Sequence, residues 1–504
     1  MTDKRTAWGL FLLVWGSCAF FFGGSGFNQN STFDQTRAIV ERGTLAIDAF
    51  AANTYDVATW GGHVYPNKAP GLSLIAVPFY APLYFVEQRS GAAVGQFPVL
   101  TLNLYLMTVV LCATSGAAIA VMLFFESLRR GASRRWALGI ALLVVLGSPL
   151  FAYSTMLFLH VPSAALLLAS VMLAERQRSL AAGVAMGAAG FVNYLCIPAA
   201  LVVALMLVVS PERRWRGVLL FSAGGAPFAV LLAAYQLIVF GGLTTTPIAR
   251  ENSAFVTPGA VYGILHAPSL DALWGLTFSP YRGLFFIAPI LVLATIGLTR
   301  LPRSLAWATA AIALYFLLFN ISFNGWHGGY AIGPRYLLPV VPLLALGLNG
   351  FTNRWRVLLL IVGVAGVLLN LAVTAVDAQP PDSVRNPIGD YVLPLLINGE
   401  VSPSHPIPQW LRDLYTGHVA VNRVAADEAV PYKLHPPGSP ANEWASFNLG
   451  ETLFGVGELT SLIPVILWLI AGASWLTFSS RKIGGPPPPD ARDDPWRVRA
   501  AHTM

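Results

Sequence analysis

Charged side chains are scarce in this 504-residue chain: Asp, Glu, Lys and Arg supply 11% of it, against about 25% in soluble globular proteins. That shortage excludes an ordinary water-solvated surface. Cysteine is scarcer still. Cys18, Cys112 and Cys196 each fall inside an apolar run, which excludes a disulfide framework and a cysteine-based zinc site. Basic residues exceed acidic ones by a formal +7, but they are dispersed as short clusters between apolar runs. Dispersal of this kind orients a membrane protein and does not build a nucleic-acid surface. Hydrophobic residues, by contrast, make up 55% of the chain. Apolar runs of about 20 residues recur along its whole length, each long enough to cross a bilayer as a helix, with lipid as the main solvent. The fold class is therefore all-α polytopic membrane protein. Trp8 to Phe22 resembles a signal peptide, but it lacks a clear small-residue cleavage site and reads as an uncleaved first span.

Topology follows from the basic clusters at Lys4-Arg5, Arg129 to Arg135, Arg176-Arg178, Arg213 to Arg216, Arg300-Arg303, Arg354-Arg356 and Arg481-Lys482. Cytoplasmic placement of all of them requires an even number of crossings between consecutive clusters. Spans at 8–24, 100–125, 136–153, 156–174, 180–194, 195–210, 217–240, 282–299, 304–321, 335–350, 356–376 and 459–478 meet that condition. This predicts about twelve transmembrane helices with both termini inside. The apolar stretch Gly71 to Val86, interrupted by Pro78 and Pro82, reads as a helix lying along the outer surface or re-entering from it. Residues 1–376 then form one transmembrane module that includes the outer loop 25–99. Residues 377–458 form a Pro-rich outer loop, 459–478 the last span, and 479–504, with Pro486 to Pro489, a disordered cytoplasmic tail. No cytoplasmic segment has room for a nucleotide-binding domain. Chemistry is expected outside, where nucleotide-activated donors are normally absent, so a transferase there needs a donor that arrives through the lipid.

The outer segments hold the candidate residues. Lys68 lies in Tyr65-Pro66-Asn67-Lys68-Ala69-Pro70-Gly71. A cation on a Pro-constrained backbone at the lipid boundary suits a lipid-linked phosphate; the plain alternative is a snorkelling lysine. Ser31 and Asp34 carry the spacing of a capping box for a short outer helix that ends at Gly43, which makes Asp34 first of all a helix cap. Asp48 and Asp56 follow, with His63 close to Lys68. Any of these carboxylates could take the proton of an attacking hydroxyl, and Asp56 is nearest in sequence to Lys68. His160, near the outer end of the fourth span, is either a functional ionisable group or a bond to a neighbouring helix. Arg282 in Ser279-Pro280-Tyr281-Arg282-Gly283 and Arg335 in Gly333-Pro334-Arg335-Tyr336 sit at the outer mouths of two spans, with His327 in the turn before the second. A helix N-terminus and a guanidinium together favour phosphate; the alternative is an interfacial anchor.

The Tyr65-Pro66-Asn67-Lys68-Ala69-Pro70 run, the outer helix after the first span and the pairing of later spans resemble the GT-C superfamily of membrane glycosyltransferases, and within it the protein mannosyltransferases and aminoarabinose transferases. The resemblance implies that Lys68 contacts a polyprenyl phosphate; Tyr65 and His63, close to Lys68 in sequence, are counted beside it as candidate lipid-phosphate contacts. It also implies transfer of a sugar from that carrier to an acceptor with inversion, in a bacterial cytoplasmic membrane. The acceptor could be glycan, lipid or protein, and a divalent cation is left open, although no spacing here identifies a metal site. The family's first outer loop begins with an acidic pair. In this chain the pair falls on Asn28-Gln29, amides that cannot act as bases. A second family carboxylate falls at or near His160. Asp34, Asp48, Asp56 or His160 must then receive the proton, and Asn28 is left to orient a hydroxyl by hydrogen bonding. Two other classes remain, a lipid-linked substrate flippase or transporter and an inactive relative of the transferases. A flippase would be expected to show matching halves, which the sequence does not.

Overall fold

Apolar runs become helices close to where the sequence places them. A computed structural model describes residues 3–95, 99–209, 214–243, 245, 247–402, 446–454 and 458–481; the proline-rich tail and most of the 377–458 loop lie outside the described residues. The chain starts with α1 (Asp3–Ala19), α2 (Phe27–Arg42) and α3 (Gly71–Ser90). Next come α4 (Val99–Arg129), α5 (Arg134–Val145), α6 (His160–Glu175), α7 (Ser179–Val192), α8 (Ala199–Val209) and α9 (Arg214–Phe240). The long helices that follow are α10 (Arg303–Ser322), α11 (Arg356–Val376) and α12 (Ile463–Arg481). The protein is an integral membrane protein. Among the described residues five helices, at Val99–Arg129, Trp215–Phe240, Arg303–Ser322, Arg356–Val376 and Leu459–Thr477, are long and apolar enough to cross a bilayer. The remaining expected crossings are shorter apolar helices, so the count of about twelve is met only to this extent.

Proline explains much of the shortening, because it removes a helix donor and clashes with the preceding turn. The expected span 282–299 is split before Pro289 into Leu284–Ile287 and Ile290–Gly297. The expected span 335–350 begins as a 3₁₀ segment, Arg335–Val340, containing Pro339. Residues 180–210 form two helices, as expected. Asn193 leaves helical geometry between them, and its side chain accepts a hydrogen bond from the Leu195 amide at 3.1 Å.

The capping box does not form. α2 begins at Phe27, its N-cap Gly26 five residues before the expected cap Ser31, so Ser31 and Asp34 sit inside the helix. The Ser31 hydroxyl donates instead to the Asp56 carbonyl at 2.6 Å. Gly43 closes the helix with a φ of +66°, a left-handed conformation that glycine adopts without strain. The expected polar loop beyond it contains a hairpin. The strands Val57–Trp60 and His63–Pro66 pair antiparallel, turning on Gly61-Gly62 with φ of +59° and +83°, the geometry of a tight hairpin turn. Ala58 and Tyr65 pack this hairpin onto Tyr235, Val239 and Phe240 at the end of α9.

One end of the bundle is ionic. Glu126 of α4 is fully buried and pairs with Arg129 at 2.6 Å, Arg130 at 2.7 Å and Arg176 at 2.7 Å. Arg134 meets Asp3 at 2.5 Å. The basic clusters at the N-terminus, 129–135 and 176 therefore share one face, as the charge pattern requires. α6 runs from that face to His160, a rise of about 22 Å at 1.5 Å per residue. The hairpin side of the molecule is thus the opposite end.

Helices α7 and α9 touch backbone to backbone. A Cβ at Gly183 would lie 1.9 Å from the Phe221 carbonyl oxygen, and one at Gly224 would lie 2.2 Å from the Leu180 carbonyl oxygen. Small residues give membrane helices this close approach. Gly183→Val should force α7 off α9 and lower stability by about 1–3 kcal/mol, the usual range for an overpacked contact. A fall in thermal midpoint and in monodisperse yield in detergent checks it.

Candidate active site around Lys68

The hairpin register decides which side chains meet. Val57 pairs with Pro66, so one step beyond the open end Asp56 lies beside Asn67, whose amide donates to the Asp56 carbonyl at 3.4 Å. Lys68 is the next residue. Its Nζ is 3.4 Å from Asp56 Oδ1, with the two side chains 21% and 11% exposed. Lys68 is therefore largely withdrawn from solvent. Burial opposes its charge, but Asp56, with further contributions from Tyr336 and Glu251, outweighs that cost and holds its pKa above the ordinary lysine value.

Asp56 is fixed from behind by α2. Besides the Ser31 bond to its carbonyl, the Asp56 amide donates to the Thr54 hydroxyl at 3.1 Å, and that hydroxyl donates to the Phe27 carbonyl at 2.6 Å. Glu251 completes the acidic side. An antiparallel bridge joins it to Ala58, and the Asn252 amide donates to the Val57 carbonyl at 3.1 Å. The Asn67 side chain donates through Nδ2 to Glu251 Oε1 at 2.5 Å. Glu251 was not singled out by the sequence. It lies 184 positions from Asn67 in a loop without periodicity, and only the acidic residue itself within an outer segment could have signalled it.

Arg335, Tyr336 and His160 approach from the other side. Arg335 and Lys68 lie within electrostatic reach of each other and of His160. Arg335 donates through Nη2 to the Tyr336 hydroxyl at 2.7 Å, while its Nε has no hydrogen-bond partner among the described residues. His160 heads α6, 2% exposed. Its ring meets Tyr336 edge-on at 5.5 Å and stacks on Phe158 at 5.7 Å, and its Nδ1 is likewise without a partner. Two cations and two unsatisfied polar nitrogens thus gather near one acidic pair. Guanidinium and ammonium groups in such a recess suit a phosphate or another small anion.

The other expected site residues lie elsewhere or have structural duties. Asp48 and His63 pair with each other at 2.7 Å, both well exposed, and Asp48 also accepts from the Val64 amide at 2.6 Å. These two bonds outweigh the slight burial of Asp48 and hold its carboxyl below the ordinary aspartate range. His63 sits at the turn of the hairpin, three residues and roughly 10 Å along the strand from its open end. Tyr65 packs on Phe240, ring centroids 5.7 Å apart. Asp34 is buried inside α2 and meets Arg37 at 3.5 Å.

Arg282 differs most from its expected role as a phosphate contact. Its guanidinium is buried and donates to the His327 carbonyl at 2.9 Å, the Gly329 carbonyl at 2.8 Å and the Tyr281 carbonyl at 3.4 Å. It is a strut for the turn at 327–329. His327 belongs to the same turn, its Nδ1 accepting from the Gly329 amide at 3.1 Å. Asn28 lies in the first turn of α2 and is buried. Its neighbour Gln29 donates to the Gln379 side chain at 2.9 Å, and Gln379 in turn donates to the Gly23 carbonyl at 2.7 Å. An amide at position 29 therefore supplies a donor that a carboxylate would lack. Among the described residues no three His, Cys, Asp or Glu side chains gather in a group that could hold a metal ion.

No protein-family model and no curated protein matches this chain. Among solved structures, the chain is similar to ArnT from Cupriavidus metallidurans in two states. The apo structure is 14% identical with a TM-score of 0.45, over 93% of this chain and 75% of that one. The structure bound to undecaprenyl phosphate is 16% identical with a TM-score of 0.46, over 95% of this chain and 76% of that one. Similarity at this level transfers no residue role, and the chemistry rests on the side chains described above.

The two arginines should separate in a simple test. Arg282→Lys replaces a planar fork by a point charge and should cost about 2–3 kcal/mol through lost charged hydrogen bonds, seen as a lower thermal midpoint. Arg335→Lys should leave the midpoint near that of the parent protein.

Proposed function

We propose that this protein is a membrane glycosyltransferase that moves a sugar from a polyprenyl-phosphate carrier to an acceptor on the outer face, opposite the basic end of the bundle. The observation that carries the reading is the confined ammonium of Lys68, held between Asp56 and the Arg335 side of the cleft. A lipid-linked phosphate entering there meets two cations, one of them with an unsatisfied Nε–H. As the bond from the anomeric carbon to the phosphate oxygen breaks, its electron pair goes to that oxygen, and Lys68 and Arg335 stabilise the growing charge. Fixed charges aimed at developing charge in a dry recess are a large source of rate enhancement. The acceptor oxygen attacks from the opposite face, which inverts the anomeric centre. Its proton needs a carboxylate, and Asp56 and Glu251 are the acids within the site.

Undecaprenyl phosphate, the lipid held by one of the ArnT structures, is the natural probe. Lys68→Ala should weaken its binding and lower sugar transfer by about a hundredfold or more, the scale seen when one stabilising donor is removed. The variant should remain monodisperse in detergent. Full transfer by a folded Lys68→Ala protein would refute the proposal.

A further inference from the structure

The two acids beside Lys68 are held differently. Asp56 is committed to Lys68, with Nζ to Oδ1 at 3.4 Å, and its backbone is locked onto α2. Glu251 is carried by a separate segment whose main chain is bridged to the hairpin at Ala58. Its Oε1 accepts from the Asn67 side-chain amide at 2.5 Å. Protonating Asp56 would remove the ion-pair partner of Lys68, whereas protonating Glu251 would leave that pair intact. This difference separates the two.

We infer that Glu251 is the proton acceptor of the transfer reaction, with Asp56 the residue that positions Lys68 and Asn67 the residue that aims Glu251. The inference rests on the proposed glycosyl transfer. In the step, the acceptor O–H oxygen bonds to the anomeric carbon and the carbon–phosphate-oxygen bond breaks. The electron pair leaves on the phosphate, and the hydroxyl proton passes to the Glu251 carboxylate. The charged and titratable groups around Glu251 are Asp56 on the strand side, Lys68 at the hairpin end and the adjoining Arg250. Arg250 lies over the Trp60 ring at 4.5 Å. Burial foremost, and the negative charge of Asp56, raise the Glu251 carboxyl above the ordinary glutamate range against the opposing pull of Lys68 and Asn67. A carboxylate with a raised pKa is the stronger base. It must be ionised to act, so turnover should fall as pH drops through a value above that of a free glutamate.

The test uses the full-length protein in lipid nanodiscs. Binding of undecaprenyl phosphate is measured alongside release of labelled sugar from a set of undecaprenyl-phosphate hexoses and pentoses, with water and a membrane-lipid extract as acceptors. Glu251→Gln should bind the lipid phosphate as the parent does and lose about a hundredfold or more in sugar release, the scale of general-base catalysis. Glu251→Asp should keep part of the activity with a displaced acid limb in its pH profile. Should Glu251→Gln fail to fold, the Glu251→Asp profile decides, and an unmoved acid limb overturns the inference. Undiminished turnover by a folded Glu251→Gln overturns it while leaving the glycosyl-transfer reading intact. A parent protein that neither binds the lipid phosphate nor releases sugar overturns both.

Discussion

An ammonium group largely taken out of water needs a negative partner, and the hairpin and α2 serve that need. Lys68 is worth nothing as an anion site if it is free to snorkel into solvent. The partner is Asp56, and Asp56 is in place because the hairpin puts residues 56 and 67 side by side and because α2 holds its backbone. Pairing of this kind lets the cation stay charged without neutralising the whole recess, since Arg335 supplies a second positive charge from a different part of the bundle.

Much of this was legible in the residues. The spans follow apolar length, and the break between α7 and α8 follows from the need to keep basic clusters on one face. Lys68 could be picked out because prolines flank it and loop polarity surrounds it. Asp56 followed by proximity. The misreadings have physical causes. Ser31 and Asp34 carry capping-box spacing, yet the helix starts earlier, because polar side chains of the first turns find tertiary partners such as Gln379. Arginine at a helix mouth has the same appearance whether it binds an anion or ties down a turn. Only the carbonyls around Arg282 distinguish it from Arg335. Glu251 had no signal beyond being an acid in an outer segment, since its place depends on a two-strand hairpin meeting a loop nearly two hundred residues later.

The departure at Asn28 and Gln29 also gains a physical account. Where the resemblance implies acids, this chain has an amide that reaches across to Gln379 and on to the backbone near Gly23. The start of α2 is a structural joint, and the two carboxylates near Lys68 come from the hairpin and from the segment around Glu251.

Asn67 and Lys68 are consecutive residues that reach for different acids, one for Glu251 and the other for Asp56. A single peptide unit therefore sets the spacing of both carboxylates. If an incoming anion draws the lysine away from its aspartate, the amide next door still tethers the glutamate, so the charge pattern of the recess can change while its shape does not.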